Sequence, residues 1–271
     1  MDKSYNCLQN GYEVQASLSG KLVIRNIYMV KNYKVMKNNE FLDLIKRCID
    51  KNNYHITLVT GGQHPRFSYS IGLTEKLGFE LIIAGGFNSI KENESLFRLI
   101  YQQLESGFTV DSHFLLSDNN IFYLGTVDSS WSKKLMMGVY DYYDLDDIIA
   151  YQIIPLNKTM DTPLMSEART LNNPIWKWLD TDWNIKAPEN SYVVTDIDAL
   201  KGKTIIELMR WEENKWEMFS RPGPDVKEDD IMIVPLGTIL GIDNTLEPIL
   251  SLAVGDGLWR DNKYSNWQDW H

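Results

Sequence analysis

The sequence predicts an α+β protein: a mostly antiparallel sheet with packed helices, followed by a second, smaller β-rich α+β module. Strand and helix patterns mix without a regular βαβ rhythm, so a parallel sheet is not expected. The chain has 271 residues, enough for about two domains. Hydrophobic residues make up 44% and charged residues 24%, which is typical of globular proteins rather than disordered ones.

The first module is predicted from changes in hydrophobic periodicity. Alternation of apolar and polar residues over 12–30 indicates a β-hairpin. Apolar residues from Phe41 to Cys48 recur with helical spacing, and a second helical stripe covers 96–104 before Gly107. Further strands are predicted at 54–59, 67–73, 80–84, 122–127 and 148–156.

A segment rich in tryptophan and proline separates the two modules. A flexible linker would be rich in glycine and serine, so residues 157–190 are predicted to pack through their aromatic rings. Strands are predicted beyond it at 192–195, 205–211, 216–219 and 231–234, with helical turns at 236–240 and 246–252. The expected organisation is an N-terminal hairpin (1–34), a first module (35–175), a connector (176–189) and a second module (190–271).

The net charge of −10 limits the possible partners. A negative field repels phosphate backbones, so a nucleic-acid partner is not expected. Such acidity either serves solubility alone or steers a basic protein partner toward the chain. The N-terminus lacks a secretory pattern and no apolar run reaches membrane-spanning length, so cytoplasmic residence without a membrane partner is the expectation. The two cysteines, Cys7 and Cys48, do not form a disulfide framework, and Cys48 is expected in the core.

The sequence carries none of the common catalytic or metal-binding signatures. It has four histidines but neither an HExxH nor a Cys-x-x-Cys motif, and it lacks a Gly-x-Ser-x-Gly elbow. No catalytic residue, cofactor or metal is therefore predicted, and whether the chain is an enzyme stays open. One pair of carboxylates, Glu75 and Glu80, flanks a turn and could line a cleft beside Tyr69.

Two segments of the second module are candidates for partner binding. The run 225–230 is the densest acidic stretch and is either a solvated loop or a surface that docks against Arg and Lys of a partner. The C-terminal tail concentrates Trp, Tyr and Arg, which are enriched at binding hot spots but also complete cores. The candidate contact residues are Asp225, Glu228, Asp229, Asp230, Trp267 and Trp270.

Residues 64–73 (His-Pro-Arg-Phe-Ser-Tyr-Ser-Ile-Gly-Leu) and 79–83 (Phe-Glu-Leu-Ile-Ile) resemble a bacterial family known as domain of unknown function 4262. Gly138 before the Tyr142-Tyr143 pair and the run 152–155 also fit, so the resemblance covers about 35–175. Phe79 stands where proline is usual in the family. The motif residues implied by the resemblance are Tyr69, Gly72, Leu73, Glu80 and Gln152. Since the family has no settled activity, it implies no catalytic residue.

Residues 190–271 resemble the immunity-type domains found beside polymorphic bacterial toxins. The shared outline includes the run 216–219 before an acidic loop, Asp243 before Leu246, and the run 252–255 before Arg260. This resemblance implies a protein without a reaction of its own that binds and blocks a cognate, basic toxin. The alternative is an enzyme or small-molecule-binding protein with a pocket near Tyr69, Gly72 and Glu80. A third hypothesis is an assembly protein held together by its aromatic tail, the C-terminal residues 259–270. The oligomeric state is not predicted.

Overall fold

The computed structural model describes residues 12–16, 22–26, 38–60, 62–86, 90–117 and 120–270. They fall into two units. The first takes its described residues from Met1–Thr60, Phe67–Asn157 and Leu164–Arg169, and the second from Gly61–Arg66, Lys158–Pro163 and Thr170–His271. Three pieces of the predicted first module, 61–66, 158–163 and 170–175, therefore belong to the second unit.

The first unit is built on one eight-stranded sheet. Its strands are β1 (Tyr12–Ala16), β2 (Leu22–Asn26), β3 (His55–Val59), β4 (Phe67–Ile71), β5 (Glu80–Ala84), β6 (Phe114–Ser117), β7 (Asn120–Thr126) and β8 (Ala150–Pro155). Their order across the sheet is β2-β1-β3-β4-β5-β8-β7-β6. The pairs β1/β3 and β5/β8 are parallel and the other neighbours are antiparallel, and the pairing of β1 with β2 confirms the predicted hairpin.

Five of the described α-helices belong to this unit: α1 (Asn38–Asn52), α2 (Thr74–Leu77), α3 (Ile90–Glu105), α4 (Ser129–Leu135) and α5 (Met137–Tyr143). Leu96, Phe97 and Ile100 of α3 share one face at helical spacing and are buried in the same cluster as Leu81 and Ile83 of β5. All five residues of β5 are buried, so its side chains are enclosed on both faces of the sheet. Burial of Cys48 confirms the predicted core position of that thiol; Cys7 lies outside the described residues.

The second unit is a six-stranded sheet with helices on one face. Its strands are β9 (Tyr192–Asp196), β10 (Glu207–Arg210), β11 (Lys215–Phe219), β12 (Ile231–Pro235), β13 (Gly257–Trp259) and β14 (Gln268–Asp269), in the order β12-β9-β11-β10-β13-β14. Only the β9/β11 pair is parallel among these described strands. Both sheets are thus mostly antiparallel, and the predicted α+β class of two modules is confirmed.

The helices α6 (Ile197–Leu200) and α7 (Leu236–Ile242) and the 3-10 helix Asn244–Ser251 place buried residues in the core of this unit. The other 3-10 helices are Lys177–Leu179, Gly223–Asp225 and Glu228–Asp230, and the last two contain no buried residue. Leu236, Ile239 and Leu240 of α7 share a buried core with the inward residues Val193 and Trp216 of the sheet. In the connector Trp176 and Trp178 are buried, in accord with the predicted packing through aromatic rings. None of the described helices combines the length and apolar character that crossing a membrane requires.

Candidate functional site

The carboxylate of Glu80, at the start of β5, is fully buried and accepts hydrogen bonds from four residues. Ser70 Oγ donates to Oε2 at 2.5 Å. The amides of Gly72 and Thr74 donate to Oε1 at 3.0 and 2.9 Å, and the Thr74 hydroxyl donates at 2.9 Å. Tyr143 Oη completes the set at 3.2 Å. Because these donors replace water around the carboxylate, its burial is tolerated.

The backbone at Gly72 explains why this donor set forms. Gly72 has a φ of 115°, a conformation that residues with a side chain rarely adopt. A Cβ placed there would lie 2.9 Å from Cγ1 of Ile49 and 3.2 Å from the carbonyl oxygen of Asn53. The glycine therefore lets the chain turn sharply between β4 and α2, so that the amides of 72 and 74 both point at Glu80.

Tyr69 and Tyr143 act in this region as neutral hydrogen-bonding groups. Burial raises the pKa of Tyr69 to about 12, and its Oη accepts the amide of Gly138 at 3.3 Å. A Cβ at Gly138 would lie 2.8 Å from that oxygen, so the two residues fit closely. Burial, together with the charge of Glu80, also raises the pKa of Tyr143. Both phenols therefore stay protonated at neutral pH and can donate.

The remaining motif residues are interior as well. Leu73 is fully buried in the core of the first unit. Gln152 lies on β8 between Ile82 of β5 and Gly125 of β7, and its Oε1 accepts the amide of Met165 at 3.3 Å. The motif thus forms an internal anchor that holds together β4, β5, β8 and the following chain. A substrate at Glu80 would have to displace donors that the fold itself supplies.

A second buried carboxylate, Asp196, ends β9 in the other unit, and the sequence did not single it out. Its Oδ1 accepts the amide of Ala199 at 3.0 Å and the hydroxyl of Ser220 at 2.7 Å. The amide of Ser220 donates to Oδ2 at 2.6 Å. Asp196 is the N-cap of α6, a position where aspartate is favoured, and this was the available sequence signal.

The acidic segment, residues 225–230, is exposed along most of its length. Asp225, Glu228 and Asp229 are exposed, whereas Asp230 is half-buried. The segment consists of two single 3-10 turns, and the amide of Asp230 bonds the carbonyl of Lys227 at 2.9 Å. Three carboxylates and the lysine of this stretch therefore face solvent, with the half-buried Asp230 beside them.

Arg221 ties the base of the acidic segment to α6. Its Nη2 lies 2.6 Å from Oδ2 of Asp198, and its Nη1 lies 3.8 Å from Oδ2 of Asp230. The amide of Gly223 also donates to Oε2 of Glu207 at 2.7 Å. Ion pairs this close to the surface contribute little to stability, typically below about 1 kcal/mol. These contacts instead fix the direction in which the exposed carboxylates point.

The acidic segment leads directly into β12, which is an outer strand of the second sheet. Val234 of β12 is buried in the core, whereas Ile231 and Ile233 point to the opposite face. Ile233 is 53% exposed and Ile231 39% exposed. Carboxylates and aliphatic side chains are thus presented side by side, as at a protein-binding surface with an apolar centre and a polar rim.

The aromatic tail lies at the other end of the same sheet. Trp270 follows β14 and is 47% exposed, whereas Trp267 is half-buried against the core with the Arg260 guanidinium 4.3 Å above its ring. Trp259 of β13 is half-buried. Five strand spacings separate β12 from β14, or roughly 24 Å. The predicted contact residues therefore form two groups, and a small epitope would include only one of them.

The described histidines occupy unrelated environments. His55 is buried on β3, and burial lowers its pKa to about 4. His64 stacks on Trp176 and its Nδ1 lies 2.9 Å from the carbonyl oxygen of Pro65. His113 is exposed, and His271 lies outside the described residues. Within the part of the chain that the structure describes, no group of three or more His, Cys, Asp or Glu residues is arranged to hold a metal ion.

Comparison of the chain with protein-family models, with curated proteins and with solved structures gives no match.

Proposed function

We propose that the chain is a non-catalytic binding protein of the immunity type, which neutralises a basic bacterial toxin in the cytoplasm by covering it. One observation carries the proposal: exposed carboxylates on an ordered segment adjoin exposed aliphatic residues on an outer strand. The carboxylates are Asp225, Glu228 and Asp229, and the aliphatic residues are Ile231 and Ile233.

Electrostatics favours a basic partner for this surface. The chain carries a net charge of −10, so its field attracts a cationic protein and accelerates their encounter. Toxins that act on nucleic acid need a cationic site, and an acidic protein that covers such a site blocks access to it. The resemblance of residues 190–271 to immunity-type domains supports the same assignment.

The competing hypothesis of an enzyme or small-molecule site near Tyr69, Gly72 and Glu80 has less support. Glu80 is fully buried, and its oxygens are bonded by Ser70, Gly72, Thr74 and Tyr143. A catalytic carboxylate must reach a substrate, whereas this one faces internal donors.

The decisive experiment co-produces the chain with the protein encoded in the adjacent reading frame. We expect a complex on size-exclusion chromatography, protection of cells that express that protein, and an affinity that falls as salt is added. Neutralising Asp225, Glu228 and Asp229 together (D225N/E228Q/D229N) should weaken the complex by about tenfold or more.

A matched control separates the acidic segment from net charge. The triple variant D182N/E189Q/D261N removes three exposed carboxylates elsewhere in the same unit, so it changes the charge by the same amount. It should bind almost as well as the unaltered chain. Absence of both a complex and protection would refute the proposed function, and equal loss in both triple variants would show that the acidic segment is not the contact.

A further inference from the structure

The outer edge of β12 pairs with none of the strands that the structure describes. All five residues of β12 pair antiparallel with β9 on the inner side, and β12 is the last strand in the order of the second sheet. The outward residues are Ile231, Ile233 and Pro235; the N–H of Ile231 bonds the carbonyl of Glu228, and proline has no N–H. The edge therefore offers an added strand the N–H and C=O of Ile233 and the C=O of Ile231.

Natural sheets usually protect such edges, and β12 lacks two of the common protections, a charged side chain and a bulge. Edge strands are blunted by shortness, by bulges, by proline or by charged side chains. The opposite edge of this sheet, β14, is only two residues long. By contrast β12 has five residues, Ile-Met-Ile-Val-Pro, without a charge or a register shift, and Pro235 removes an outward N–H only at its end.

The outer face beside this edge is suited to aliphatic side chains with a cationic neighbour. Ile233 of β12 lies opposite Val194 of β9, which lies opposite Glu217 of β11, so the three residues form a row across the sheet. Burial raises the pKa of Glu217, as expected for a carboxylate between apolar neighbours. The exposed Glu228 and Asp229 stand just before β12 in the chain.

We infer that the partner docks by strand addition: an extended, basic segment of it pairs antiparallel or parallel with the outer edge of β12. This inference rests on the proposed function and specifies how the partner is held. Alternate aliphatic side chains of the segment cover Ile231 and Ile233, while its lysines and arginines meet the acidic segment.

Charge decides between a basic partner and a second copy of this chain. Pairing β12 with β12 would bring together two molecules of net charge −10, each with an acidic segment beside the shared edge. Like charges placed close together oppose association. A basic strand instead gains from the same carboxylates.

The test uses the full chain and a short synthetic peptide in which lysine alternates with isoleucine. Binding is followed by calorimetry and by amide hydrogen exchange of β12. We expect binding together with slower exchange for the outward amide of Ile233, because this group would become hydrogen-bonded. The same peptide methylated on alternate backbone nitrogens keeps its charge and side chains but loses donors along one edge, and it should bind about tenfold more weakly or worse.

A pair of substitutions tests whether the peptide binds at the edge strand β12. Ile233→Lys places a charge on β12, whereas Val254→Lys makes the same chemical change at an equally exposed aliphatic residue, 54% against 53%. The first should weaken peptide binding by about tenfold and the second by less than about twofold. Strand addition is overturned if the peptide fails to bind, if methylation has no effect, or if both lysine variants behave alike.

Failure of docking at β12 can be distinguished from failure of the proposed function. A complex with the toxin whose affinity is unchanged by I233K would keep the immunity function and reject docking at β12. Loss of the complex in every form would reject the function itself. A mass in solution that doubles for the unaltered chain, and returns to one chain in I233K, would show that β12 pairs with a second copy and would overturn the basic partner.

Discussion

Arg260 and Asp243 form a buried ion pair in which Nη2 of the arginine lies 3.0 Å from Oδ2 of the aspartate. Nε of Arg260 also donates to the carbonyl of Ile205 at 2.8 Å, and Nη1 donates to the hydroxyl of Thr245 at 3.1 Å. Burial lowers the pKa of Arg260, and the charge of Asp243 opposes that shift. The pair therefore holds the start of the C-terminal tail to the 3-10 helix at Asn244–Ser251.

Removing one partner of this pair should be costly because the other charge stays buried. We expect Arg260→Met to lower the free energy of unfolding by about 3–5 kcal/mol, measured by urea denaturation. Lys215→Met removes a cation that lies 3.8 Å from Glu212 at the surface, and it should cost less than about 1 kcal/mol. Similar losses for the two variants would contradict a structural role for the buried pair.

The anchor at Glu80 gives a second prediction. Glu80→Gln keeps the shape but replaces one acceptor oxygen by an NH₂ group, which cannot accept from the surrounding donors. The loss in unfolding free energy should be about 2–4 kcal/mol, read from the denaturation of the first unit. Glu75→Gln changes an exposed carboxylate on α2 and serves as the control, with little expected effect. An unchanged midpoint for Glu80→Gln would show that the donor set contributes little.

Much of the fold follows from local patterns. The run 80–84 was predicted to be a strand and matches β5 residue for residue, because five consecutive apolar or fully buried positions end at a Gly-Gly break. The alternation of apolar and polar residues over 12–30 likewise predicts the hairpin of β1 and β2. The predictions missed the short elements: β6 has four residues and a register shift, and α4 has seven. The Asp128 side chain caps α4 through the amide of Ser130, a signal that was present in the sequence.

Local sequence patterns do not predict the order of the strands in either sheet. Nothing near Glu80 indicates that β5 pairs with β8 some seventy residues later, nor that β12 lies at an edge. For the same reason the sequence indicated the acidic segment and the aromatic tail as candidate contacts without indicating that they lie at opposite ends of the sheet. Long-range pairing determines both relationships.

Tyr69 and Gly138 test close packing inside the first unit. Gly138→Ala adds a methyl group 2.8 Å from Oη of Tyr69, so it should destabilise the chain by about 1–3 kcal/mol. Tyr69→Phe removes that oxygen and should relieve part of the clash, so the double variant should lose less than the sum of the two single losses. Strict additivity in urea denaturation would contradict the contact.

His55 should make stability depend on pH in the mildly acidic range. Burial lowers its pKa from the ordinary value of 6.5 to about 4, so the unfolded chain takes up this proton before the folded one does. Neutral, buried His55 therefore contributes about 3 kcal/mol to the free energy of unfolding. This contribution is complete above pH 6.5 and is lost as pH falls toward 4. Unfolding free energies measured at intervals over this range should fall with a slope that His55→Gln reduces. His113→Gln, which alters an exposed histidine, should keep the slope of the unaltered chain. If His55→Gln keeps that slope as well, the acid sensitivity belongs to other groups and His55 is charged without penalty in the folded state.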